Sequence, residues 1–282
     1  MPSYLNLLAS ICLGLTSTTA LAQQASSSAY ALGANENVSA GGVVSATANV
    51  GPLAPTSGAA APSYNVSNSV ASVSQNAALT TGVTGVTQGL QTGILTGNSN
   101  GTATGAQATA TVNNLQLSLS DGQLLTSLLG LNATTIQSFS QANSVGGLDA
   151  SGSTTIEGLT LNGLLLGGLT IDGSLFVNPA PNTILLNVGG LLITLNEQTL
   201  LGDGITGTGI STNAIDVAFN NFALGTNVLN GKLIVGHTEA FASLGQAAAV
   251  PEPATWALML LGFAGIGVAS RRRRPARLSQ LA

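Results

Sequence analysis

The sequence predicts a mainly β protein: an antiparallel sandwich or barrel, with a solenoid as the alternative arrangement and one short helix. Three observations carry this expectation. Beyond Ser151 the chain breaks into short runs that alternate or stay apolar. Turn signals separate them: Asp172-Gly173, Asn178-Pro179-Ala180-Pro181, Gly189-Gly190, Asp203-Gly204 and Asn230-Gly231, the last two of the kind favoured in tight hairpins. No stretch between the runs is both long and helical enough to be the crossover that parallel strands need.

The first element is an address. Residues 1–22 pass from a short polar start through the apolar core Leu5 to Leu15 to small residues at Ala20 and Ala22, the pattern of a secretory signal peptide cleaved after Ala22. Its start lacks Lys and Arg, leaving the α-amino group as the positive charge. Cys12 is the only cysteine, and Ile11 before it argues against lipoprotein acylation, so the mature chain has neither disulfides nor a thiol nucleophile.

Residues 23–150 form a Ser/Thr/Gly/Ala-rich first part of the body and residues 151–245 a β-rich second part. In the first, Ala46-Thr47-Ala48-Asn49-Val50 and Ala108-Thr109-Ala110-Thr111-Val112 look like two versions of one strand, with small residues on one face. From Leu115 to Ser138 leucines mix alternation with helical spacing, which predicts the short helix over Gly122 to Leu129. In the second part, strands are expected at Thr154–Leu161, Gly168–Ile171, Leu175–Val177, Thr183–Val188, Leu191–Leu195, Ile210–Phe219 and Lys232–Ala242.

Charge is scarce and segregated. Only 6% of the 282 residues are charged, against about a quarter in soluble globular chains. Five of the six basic residues are Arg271, Arg272, Arg273, Arg274 and Arg277, leaving Lys232 alone in the body against Glu36, Asp121, Asp149, Glu157, Asp172, Glu197, Asp203, Asp216 and Glu239. An acidic body without clustered cations disfavours a nucleic-acid partner.

Residues 246–282 are a second address. Pro251-Glu252-Pro253 precedes an apolar run, residues 254–270, and the four arginines 271–274. As a helix that run would reach about 25 Å, just short of a hydrocarbon core of about 30 Å. Trp256 stands where an interfacial anchor belongs, and the arginines would stay cytoplasmic. By itself this reads as a single-pass anchor that leaves the body outside the cytoplasmic membrane. The order Pro-Glu-Pro, apolar span, Arg cluster closely resembles the PEP-CTERM sorting signal of Gram-negative bacteria. That resemblance implies export through the Sec translocon and a membrane intermediate. An exosortase would then recognise Pro251, Glu252 and Pro253, cleave near them, and release or re-anchor the body at the cell surface or in exopolysaccharide. Two prolines flanking Glu252 stop a helix and present an extended segment that a protease can bind.

In the body, Leu195-Asn196-Glu197-Gln198, Thr212-Asn213-Ala214-Ile215-Asp216-Val217 and Leu233-Ile234-Val235-Gly236-His237-Thr238-Glu239-Ala240 are similar to the closing part of the choice-of-anchor P family. Ala48-Asn49-Val50-Gly51-Pro52-Leu53 is compatible with that family's opening. The resemblance implies an exported body with an exchangeable anchor and no established activity.

Candidate chemistry is thin. Gly97-Asn98-Ser99-Asn100-Gly101 has nucleophile-elbow spacing, and Asp residues stand between Ser99 and the sole histidine, His237, in hydrolase order. Gly101-Thr102-Ala103-Thr104-Gly105 is a poor start for the helix an elbow needs, so a polar loop is expected. Gly202-Asp203-Gly204-Ile205-Thr206-Gly207 matches dinucleotide spacing but runs into β-branched residues and reads as a hairpin loop. No Gly stands where a phosphate loop ending at Gly231-Lys232 would need it. Asp172, Asp203 and Asp216 stand singly, without the carboxylate series of a calcium loop. Glu197, His237 and Glu239 are the remaining cluster: His237 and Glu239 share a strand face and would meet Glu197 if Leu191–Leu195 paired with Lys232–Ala242. Such a set can hold a divalent metal, orient the imidazole, or be a structural polar cluster, which is the expectation here. The reading is thus of a non-enzymatic exported protein without cofactor, structural or adhesive and linked to exopolysaccharide. An unprocessed membrane-anchored surface protein is the first alternative, and a secreted serine hydrolase the second.

Overall fold

The computed structural model describes residues 24–40, 44–60, 63–81, 84–121, 127–168, 170–224 and 226–244, together with Leu260, Leu261, Phe263 and Ala264 of the tail, which are helical. The expected signal peptide, Pro251–Pro253, Trp256, the arginines and most of the apolar run lie outside the described residues. No helix among the described residues is long and apolar enough to cross a membrane.

Alternation and β-branched or small residues put nearly all of the body into strands: β1 (Gln24–Ala40), β2 (Val44–Leu53), β3 (Thr56–Ala59), β4 (Tyr64–Val70), β5 (Val73–Thr81), β6 (Thr84–Thr92), β7 (Leu95–Thr102) and β8 (Gly105–Asp121). They continue as β9 (Ser127–Asn143), β10 (Asp149–Glu157), β11 (Thr160–Asn162), β12 (Thr170–Asp172), β13 (Thr183–Val188), β14 (Leu191–Gly202), β15 (Gly207–Leu224) and β16 (Asn227–Ser243). Every pairing is antiparallel. One sheet runs β13-β14-β15-β16-β1-β2 with β3 also on β1; the other runs β12-β11-β9-β8-β6-β5 with β10, β7 and β4 attached.

The sheets lie face to face, β1 on β7 and β8, β16 on β8 and β9, and β15 on β9 and β10. Both keep free edges, so the barrel alternative is corrected to an open sandwich; neither sheet forms the coil of a solenoid. Residues 24–244 lie in one compact unit, and β10 runs across the 150/151 division. The interior is graded. Large side chains such as Leu95, Leu115, Leu131, Ile136, Ile193, Val217 and Val235 fill one end, and Ala25, Ala106, Ala142, Ala240 and Ala242 form a separate cluster at the other.

Four expectations are corrected. Ser127–Leu129 of the predicted helix are strand, because Leu129 and Leu131 point inward opposite Leu119 and Leu117 of β8; residues 122–126 lie outside the described residues. Of the predicted strand Leu175–Val177, Leu175 and Phe176 instead belong to the 3-10 turn Gly173–Phe176 and Val177 ends it; Asp172 caps the turn by accepting from the Ser174 N–H. Thr154–Leu161 is split at Gly158, whose φ of 62° turns the chain from β10 to β11. Asn230-Gly231 lies inside β16, where Asn230 Oδ1 accepts the Asn221 N–H at a bulge. The two strand-like segments belong to different sheets, in β2 and β8.

One feature of the seven-stranded sheet positions the site. In β16, Leu233 and Val235 face inward, but beyond Gly236 the inward residues are Thr238, Ala240 and Ala242. The same change of parity occurs between Thr212 and Ile215 in β15, after Leu195 in β14, and between Ala29 and Leu32 in β1. Register is unchanged across the line, since Tyr30 pairs with His237 and Leu32 with Val235. In β14 and β16 left-handed backbone at Asn196 (φ 51°) and Gly236 (φ 66°) makes the switch, Asn and Gly being the residues that adopt it readily. Side chains next to the line therefore turn outward in an aligned row.

Candidate functional site on the outer sheet face

Four strands contribute that row: Glu197 pairs with Asn213, Asn213 with His237, and His237 with Tyr30. Asn213 Nδ2 donates to Glu197 Oε2 at 2.7 Å, so its Oδ1 is left to accept the Nδ1–H of His237, also at 2.7 Å. The imidazole stacks on the Tyr30 ring with centroids 4.5 Å apart and planes at 21°. Gly33 leaves room for that ring, since a Cβ there would lie 3.2 Å from Tyr30 Cε2.

Across the parity line Asp216 of β15 and Lys232 of β16 also face outward. Lys232 Nζ contacts Asp216 Oδ2 and lies 3.5 Å from Glu197 Oε2. Burial pushes the Asp216 carboxyl up to about 6, with Lys232 opposing and Glu197 assisting. Burial also raises Glu197, but the Asn213 hydrogen bond and the Lys232 charge outweigh it and hold Glu197 below its usual range. Burial, then the Lys232 charge, pull His237 down to about 4, so the imidazole is neutral at pH 7. Lys232 is raised despite burial because Asp216 holds its proton.

The predicted set is thus partly brought together and partly not. Glu197 and His237 meet through Asn213, because β15 lies between β14 and β16; the direct pairing expected of those strands is corrected. Glu239 pairs with Ser28 and Ser211 further along β16 and lines a different groove of about 340 Å³ with Ser26, Ser28, Ser57 and Gly58. No group of three or more His, Cys, Asp or Glu side chains suited to a metal occurs among the described residues. Sequence reasoning missed Tyr30 and Asn213, and it treated Asp216 and Lys232 separately. Alternation gave no signal for them, because the strands change parity between these positions.

Ser99 lies within β7 rather than at a loop, fully buried, its hydroxyl 2.8 Å from Thr56 Oγ1 of the facing sheet. His237 is on the outer face of the other sheet, so hydrolase order in the chain does not become adjacency in space. Gly202–Gly207 is the β14–β15 hairpin. Asp203 there accepts from the N–H groups of Ile205, Thr206 and Gly207 and from the Thr206 hydroxyl; these bonds hold its carboxyl far below the usual range.

A second groove, about 260 Å³, adjoins the row between Tyr30, Asn35, Asn49, Pro52, Lys232 and Ile234. The outer face thus offers amides, hydroxyls and the Tyr30 and Phe241 rings, with few charges.

The tail supplies the decisive comparison. The family model for the PEP-CTERM protein-sorting motif matches residues 249–274. This chain carries that motif. It covers Pro251, Glu252, Pro253, Trp256 and the four arginines, and it marks an exported surface protein sorted by exosortase, as PEP-CTERM proteins are in Gram-negative bacteria. No curated protein matches the chain, so the choice-of-anchor P resemblance has no relative behind it.

Proposed function

We propose that the body is a non-enzymatic structural or adhesive module, delivered by its PEP-CTERM tail and presented to exopolysaccharide at the cell surface. The reading joins the matched tail to the outer face of the seven-stranded sheet, where Ser26, Ser28, Ser57, Asn35 and Asn49 line open grooves. Hydroxyls and amides without net cationic charge suit hydrogen bonding to neutral polysaccharide. An acidic body also limits self-association. The proposed route is Sec export with loss of residues 1–22, a membrane intermediate held by residues 254–270, then cleavage near Pro251–Pro253. The choice-of-anchor P resemblance fits this route and adds no activity.

The observation that carries the reading is the sorting motif on a chain whose body presents open polar grooves on its outer face. Affinity electrophoresis of the mature protein in gels containing the host's exopolysaccharide tests it. Retardation by that polymer, weakened in Asn35→Ala/Asn49→Ala, is expected. Equal mobility with and without polymer, or turnover of esters or glycosides lost in Ser99→Ala and His237→Ala, would overturn it.

A further inference from the structure

β14, β15 and β16 bring one lysine and two carboxylates together on the outer face. Asp216 pairs with Ile234 and Lys232 with Ala218, so the two side chains are diagonal neighbours on adjacent strands. Lys232 Nζ contacts Asp216 Oδ2, with Glu197 Oε2 3.5 Å from the same nitrogen. Asp216 keeps only 5% of its side chain exposed, and among the described residues its Oδ2 has no hydrogen-bond partner apart from that amine. The pair is a weak source of stability, because Asp216 loses its hydration while the Lys232 charge stays partly in water. Joining the two groups into an amide would remove both charges.

We infer that Lys232 Nζ and Asp216 Cγ condense into an intramolecular amide, with Glu197 carrying the proton, so that β15 and β16 become covalently linked. Glu197 takes a proton from the Lys232 ammonium, and the free amine adds to Cγ of the protonated Asp216 carboxyl. The new C–N bond replaces the C–OH bond. The nitrogen gives up one more proton, the hydroxyl leaves as water after accepting one, and Glu197 returns its proton to solvent. No oxidant or cofactor is needed. Burial of Asp216 favours the neutral acid that serves as electrophile, and Glu197 is ionised beside the amine; Asp216 and Glu197 raise Lys232, so the proton leaves it uphill and the condensation is slow. Strand pairing holds the Lys232 amine against the Asp216 carboxyl, which substitutes for the high concentration that such a condensation needs in water. Lys232 is 45% exposed at its side chain, which leaves a path for the released water.

Mass spectrometry of peptic peptides from the full-length protein tests this. The linked state predicts a branched peptide joining the segments around Asp216 and Lys232, lighter by one water than their sum. Lys232 is the only trypsin site between residue 23 and Arg271, so the unfolded linked body resists cleavage there. Linear peptides of full mass and trypsin cleavage after Lys232 would overturn the inference without touching the export reading. Lys232→Arg and Asp216→Ala should each abolish the branched peptide. Glu197→Gln should leave the chain linear while its circular dichroism stays that of the wild type; a linked product in Glu197→Gln would remove Glu197 from the role. The wild-type measurement decides the link even if a variant fails to fold.

Discussion

His237 donates its Nδ1–H to Asn213 Oδ1 across 2.7 Å, and because the Asn213 amide nitrogen is committed to Glu197, the imidazole is fixed in one neutral tautomer. The ring is also the chain's only histidine, so its titration can be followed without assignment.

Burial and Lys232 hold His237 at about 4, below the ordinary 6.5. The unfolded chain therefore takes the proton first as pH falls. The stability conferred is whole above pH 6.5 and lost between 6.5 and 4, on the order of 3 kcal/mol by pH 4. The stability difference between wild type and His237→Gln, measured by denaturant unfolding, should shift by that amount from pH 7 to pH 4. The single histidine proton resonance should titrate near 4. Titration near 6.5 in the folded protein would contradict the buried setting.

Glu36 is buried between the sheets, accepting from Gln88 Nε2 at 2.9 Å, and burial raises its pKa despite that hydrogen bond. A raised folded-state value means the ionised carboxylate opposes folding at neutral pH, and the penalty fades as pH falls through that value toward 4.5. Glu36→Gln should therefore be more stable than wild type at pH 7 by on the order of 1 kcal/mol. The gap should close in acid; a gap that widens would reverse the sign of the argument.

Ser140 Oγ lies 3.0 Å from Thr212 Oγ1 and 2.8 Å from Thr238 Oγ1, all three fully buried between the sheets. Ser140→Ala leaves those two hydroxyls short of a partner. A loss of about 1 to 2 kcal/mol in chemical denaturation is expected, and a neutral result would mean that the threonines find other partners.

Close approach of the sheets depends on missing side chains. A Cβ at Gly97 would collide with the Ala54 carbonyl oxygen, whereas one at Gly51 would meet nothing within 4 Å. Gly97→Ala should lower stability by about 2 kcal/mol or more, while Gly51→Ala stays within about 0.5 kcal/mol. Equal effects at both positions would mean that backbone freedom rather than contact is being measured.

The strands of residues 183–243 were legible because Leu191, Ile193 and Leu195 alternate cleanly and Gly189-Gly190 and Asp203-Gly204 close real hairpins. The long first strand was not, because Ser26-Ser27-Ser28 reads as low complexity until Ala25, Ser27 and Ala29 are seen packing against a sheet of small residues. The helix error arose from leucine spacing that fits a helix as well as a strand when both sides are covered. Of the site, Glu197 and His237 were legible as rare polar groups. Their link was hidden by β15, and the outward turn of Tyr30 and Asn213 depends on parity changes within β1 and β15, which no alternation pattern announces.

The intact mass of the protein from its native host, taken separately from cell-bound and released fractions, tests the central claim most directly. The account predicts loss of residues 1–22 and of the arginine tail by cleavage near Pro251–Pro253, with any added mass marking a new attachment. Arg271–Arg274 retained in every fraction would contradict it and leave an unprocessed membrane anchor.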